Sequence, residues 1–94
     1  MLHLIQKSPF QTSCLSECLN IAKPDDQFIL MQDGVYAIQK SDFTNGFKNI
    51  FVLSDDLTAR GLELNNQSAS NIKAINYEQF VALTLNTDKT MSWF

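Results

Sequence analysis

Phe28-Ile29-Leu30-Met31 is a continuous apolar run, and Gln32-Asp33-Gly34 ends it. A strand with one wet face alternates apolar and polar residues. A run that is apolar at every position suits a strand covered on both faces, as in parallel α/β sheets. The Gln-Asp-Gly sequence that follows is a turn signal. Ile50-Phe51-Val52-Leu53 has the same buried character. Leu2-His3-Leu4-Ile5 reads as a first strand and Ile72-Lys73-Ala74-Ile75 as a fourth, while Val35-Tyr36-Ala37-Ile38 suits a short helix or a strand.

Helical signals lie between these runs. Ser8-Pro9-Phe10-Gln11 has the form of a capping box with proline at the first helical position. Thr12 and Ser13 offer a second start, and Pro24 stops a helix that runs to about Ala22. At about 100° per residue, Cys14, Leu15, Cys18, Leu19, Ile21 and Ala22 fall on one arc, opposite Ser13, Ser16, Glu17 and Asn20. Ser54-Asp55-Asp56 begins a second helix ending near Arg60, with Gly61 as its left-handed cap. Asn76 caps a third, from Tyr77 to Leu85. The alternation reads as one domain over 1–94: an open, mostly parallel α/β sheet with helices on both faces. So few helices cover two sheet faces thinly, and the tail Met91-Ser92-Trp93-Phe94 leaves Trp93 and Phe94 little chain to bury them. A permanent partner surface would answer both problems; the tail folding back over its own core would answer the second.

Composition narrows the function. The chain has 94 residues, 45% hydrophobic, with a formal charge of −3. Its seven Lys and Arg are scattered, so there is no basic patch of the kind that neutralises phosphates, and direct nucleic-acid binding is not expected. No basic-then-apolar leader opens the sequence, and no apolar run approaches membrane-spanning length, so a cytoplasmic protein is expected. Cys14 and Cys18, four residues apart, are too few and too close for a disulfide scaffold and are read as reduced thiols. There is no phosphate-binding glycine loop, Ser-His-Asp pattern or zinc spacing, and no cofactor is expected.

Four stretches taken together resemble the TusB/DsrH branch of the DsrE/F/H sulfur-relay family: Met1-Leu2-His3 with Lys7-Ser8-Pro9-Phe10; Leu30-Met31-Gln32-Asp33-Gly34-Val35; Asp56-Leu57-Thr58-Ala59-Arg60-Gly61-Leu62; and Tyr77-Glu78-Gln79-Phe80-Val81-Ala82-Leu83-Thr84, with a tryptophan near the C-terminus. Asn76 stands where Asp is common at the start of the last motif; both cap helices. The resemblance implies a flavodoxin-like fold and a hetero-oligomer with two sister DsrE/F-like (TusD/TusC-like) subunits. These relay persulfide sulfur between upstream and downstream carrier proteins, toward 2-thiouridine at the tRNA wobble position in one branch and in dissimilatory sulfur oxidation in the other. It places the principal sulfur-carrying cysteine on a sister subunit, while Cys18 matches a DsrH-branch cysteine in the first helix.

The residues themselves weigh against a reactive Cys18. A relay cysteine must be an exposed thiolate in electropositive surroundings. If the helix begins at Thr12 or Ser13, Cys14 lies in its first turn and Cys18 beyond it, on the apolar arc with Glu17 adjacent. Cys18 is then a small core residue. His3 has no metal-spaced partner and reads as a core or edge histidine. Asp33-Gly34 follows a strand, where open α/β sheets place ligand sites, or is a plain turn. Asp55 and Asp56 read as helix-capping residues. Arg60 suits a helix C-terminus or an interface pair. The expected function is a mainly structural subunit of a sulfurtransferase complex, with Asp33, Arg60, Trp93 and Phe94 as interface candidates. The alternatives are a sulfur-carrying subunit using Cys18, or a small-molecule-binding domain acting at Asp33-Gly34.

Overall fold

The computed structural model describes residues 1–8, 10–11, 13–23, 25–39, 49–62 and 72–93. The strands are β1 (Leu2–Ile5), β2 (Gln27–Leu30), β3 (Asn49–Leu53), β4 (Ile72–Ile75) and β5 (Thr90–Trp93). The helices are α1 (Cys14–Ile21), α2 (Ser54–Ala59) and α3 (Tyr77–Leu85), with a 3₁₀ segment over Gln32–Gln39 between β2 and β3. The strands form one sheet in the order β4-β3-β2-β1-β5, and every described pairing is parallel. This is the expected open α/β sheet. Its strand order, which a sequence does not print, differs from the β2-β1-β3-β4-β5 order of flavodoxin itself.

That order decides which face each helix covers. From β1 to β4 the chain steps along the sheet in one direction, and parallel crossovers are right-handed, so these three connections fall on one face. The last connection, from β4 back past β1 to β5, runs the other way and falls on the opposite face. The core follows this division. On the first face Ile5, Phe28, Leu30, Ile50, Val52 and Ile72 pack with Leu15 and Cys18 of α1, Val35, Ala37 and Ile38 of the 3₁₀ segment, and Leu57 of α2. On the second, Leu2, Ile29, Leu53 and Ile75 are covered by Phe80 and Leu83 of α3, and no residue of α3 is itself buried.

Several local readings change. The first helix begins at Cys14 after Ser13, the second of the two starts, and Ser8 instead accepts from the Gln11 N–H at its carbonyl, 3.1 Å, and from the Phe10 N–H at Oγ, 3.2 Å. Pro9, Thr12 and Pro24 lie outside the described residues. Ile21 is exposed, because the buried arc centres on Leu15, Cys18 and Ala22, and Ile21 sits roughly 90° from that centre. The Val35–Ile38 stretch belongs to the 3₁₀ segment. The tail supplies β5, an edge strand whose Trp93 packs on the first-face core; Phe94 lies outside the described residues. Gly61 has φ +66°, as its capping role requires, and Asn76 and Gln79 form a reciprocal capping box at α3.

Candidate functional site

Two of the sequence motifs meet at the carboxyl end of the sheet. Gln32 leaves β2 with φ 51°, a left-handed conformation that costs a non-glycine residue energy. Its N–H is held by Asp56 Oδ2 at 2.7 Å. Asp33 accepts from Arg60 Nε at 3.0 Å, and Arg60 also donates to the Asp56 carbonyl at 3.3 Å. Asp33 and Arg60 thus form one clasp joining the 3₁₀ segment to α2. Gly34 completes it: a Cβ there would lie 2.0 Å from the Ile5 carbonyl oxygen, so only glycine lets the segment pass over the end of β1. Asp56, which the sequence offered as a helix cap, is the acceptor that fixes the strained turn.

Beside the clasp is an open cleft of about 340 Å³ lined by Ser8, Phe10, Gln11, Asp33 and Tyr36. It lies between the segments that follow β1 and β2, at the carboxyl ends of the strands. Its groups can donate and accept hydrogen bonds, and the Asp33 carboxylate is half-exposed. Among the described residues no group of three or more His, Cys, Asp or Glu is arranged to hold a metal.

Cys18 is elsewhere. It is 0% exposed within the first-face core, under α1. Burial, and second the Asp26 carboxylate, push its thiol up to about 12. At neutral pH it is a thiol, which neither attacks a persulfide nor binds a soft metal well. Of Cys14 the backbone alone is described, at the start of α1.

At the amino end of the sheet, His3 is buried and bonded on both ring nitrogens. Trp93 Nε1–H donates to Nδ1 at 3.2 Å, which leaves Nε2 as the protonated nitrogen, 2.9 Å from Asp26 Oδ2. Burial alone would raise the Asp26 carboxyl. Hydrogen bonds from His3, the Lys23 N–H and the Met1 ammonium, with the charge of the last, bring it down to about 2. Asp26 carried no signal in the sequence. What places it is parallel register: Leu2 pairs with Gln27, so the residue before β2 lies beside the start of β1. The Trp93 indole N–H is thus bonded within the chain.

An open, parallel α/β domain with a polar clasp and cleft at its carboxyl end, and Cys18 buried in its core, places the chain among small α/β proteins with an open parallel sheet. The chain belongs to the DsrH-like family: the family described as DsrH like protein matches residues 7–90. Proteins named TusB from Yersinia pestis (strain Pestoides F) and Yersinia pseudotuberculosis serotype O:1b (strain IP 31758) are each 38% identical over 98 aligned residues, covering 99% of this chain and all of the relative. In fold the chain is similar to protein Tm0979 from Thermotoga maritima, solved by solution NMR, with a TM-score of 0.66 at 21% identity over 95% of this chain and 97% of that one. At that identity the likeness concerns the fold alone.

Proposed function

We propose that this chain is a cytoplasmic subunit of a persulfide sulfur-relay complex serving 2-thiouridine formation at the tRNA wobble position. In this reading it is mainly structural. It assembles with two sister subunits of the DsrE/F type (TusD/TusC-like), one of which carries the active cysteine. Family membership and the TusB name of the relatives support the pathway. The observation that carries the structural role is Cys18: a fully buried thiol, pushed up to about 12, is unsuited to accept sulfur from a carrier protein. The thin cover of the second face supports assembly, and Asp33 and Arg60 contribute by holding the carboxyl-end surface in one shape.

The test loads the co-expressed complex with sulfur from a cysteine desulfurase through a carrier protein and reads the intact mass of each subunit. Wild type is compared with Cys18→Ala. The expected result is sulfur on a sister subunit alone, at equal rate in both complexes. A sulfur atom gained by this chain and lost in the variant overturns the structural reading and makes Cys18 a relay site.

A further inference from the structure

The His3 cluster is not used by this function, and it joins the two ends of the described chain. β5 is an outer strand whose Thr90, Met91 and Ser92 are exposed. Besides its ladder to β1, it is anchored by Trp93, which packs on the first-face core and gives its indole N–H to His3. His3 is only 1% exposed and stacks on Phe28 with ring centroids 5.1 Å apart. Nδ1 can accept from Trp93 only while it carries no proton.

We propose that His3 is a proton-operated latch for β5: with Nδ1 bare it holds Trp93, and with Nδ1 protonated it releases it. Protonation leaves the Nε2–H bond to Asp26 intact but turns Nδ1 into a donor facing another donor, 3.2 Å away, on a ring that is itself buried. Two opposed N–H groups cannot bond, and a buried donor without an acceptor is costly. The charged and titratable groups around His3 come from the neighbouring segments: Asp26 and Lys23 between α1 and β2, the Met1 ammonium, and Lys89 ahead of β5, with the Cys18 thiol of α1 facing Asp26. Asp26 is the acceptor among them, and it is already taken by Nε2, the Met1 ammonium and the Lys23 N–H. Among the described residues, the new Nδ1–H therefore meets the Trp93 N–H rather than an acceptor unless the indole moves away. Because β5 forms the outer edge of the sheet, the latch sets whether a neighbouring molecule meets β5 or the edge of β1.

Trp93 is the single tryptophan of the chain, so its indole signal needs no assignment. The experiment follows the His3 ring and the indole N–H of the folded protein by NMR down a descending pH series. Far-UV circular dichroism is recorded alongside. As His3 gains its proton, solvent exchange of the indole N–H, corrected for the intrinsic pH dependence of exchange, should rise roughly tenfold, the loss of about one hydrogen bond. Emission should shift to the red while helix and sheet content hold. In His3→Gln the emission should stay flat over the same range. Trp93→Phe provides a second variant, in which the β5 amides should lose their corrected pH dependence. Protonation of His3 with no change at Trp93, release of Trp93 without His3 protonation, or global unfolding before His3 titrates would each overturn the latch.

Discussion

The two faces of the sheet are built from the same strands and finished differently. The first carries α1, the 3₁₀ segment and α2, and among the described residues its cluster holds twelve buried residues. The second carries α3 among the described residues; its cluster holds four, and Tyr77 and Leu85 at the ends of α3 are 63% and 80% exposed. Composition does not account for the difference, since α3 is rich in apolar residues. Topology does. Three crossovers in one direction and one in return, all right-handed, put most of the helical cover on one side.

The largest test of this contrast is at the junction the first face depends on. Gly34→Ala should cost more than about 3 kcal/mol, because its Cβ would strike main chain rather than a movable side chain. Gly61→Ala should cost about 1 kcal/mol, since open space surrounds it and only its positive φ resists. Urea unfolding of both variants measures the gap; equal losses would mean the clasp yields. Next, Leu57→Ala on the first face should cost about 2–4 kcal/mol by leaving a cavity, and Leu83→Ala on the second about 1 kcal/mol or less. Equal costs in the isolated chain would break the comparison. A Leu83→Ala cost that grows in the assembled complex would sharpen it.

Asp26 gives a pH-dependent effect. Its carboxyl lies at about 2, below the ordinary 3.8, so its contribution is complete above pH 3.8 and is lost as pH falls through 2. Asp26→Asn should therefore cost about 1–2 kcal/mol at neutral pH, allowing for solvent screening, and flatten the stability profile between those two values. Thermal unfolding at several pH values reads this directly. The smallest effect belongs to Asp33→Asn. Removing a half-exposed partner of Arg60 should change stability by less than about 1 kcal/mol. Its loss should show instead as weaker co-purification with sister subunits, if the clasp shapes an interface.

Much of the fold was legible because it rests on local patterns. The apolar runs at Leu2, Phe28, Ile50 and Ile72 each became a strand, and Asn76 and Gly61 did the capping their chemistry suits. β5 was missed because Thr90-Met91-Ser92-Trp93 lacks a continuous apolar run; as an edge strand it is covered on one side only. The candidate site was legible as separate residues but not as an arrangement. Asp33 and Arg60 stand 27 positions apart, and nothing local says they touch. The buried state of Cys18 followed from its helical arc, whereas the bonding of His3 to Asp26 and Trp93 did not follow from any spacing.

The sequence by itself determined the strands β1 to β4, the helices, the caps at Gly61 and Asn76, the apolar arc that takes Cys18 inside, and the family. These depend on side chains a few residues apart, which one stretch of chain contains. The tertiary structure alone decided the strand order, the unequal faces, the Gln32–Asp33–Arg60–Asp56 clasp and the Trp93–His3–Asp26 chain. Those depend on parallel register and crossover handedness, which bring together residues from 23 to 90 positions apart.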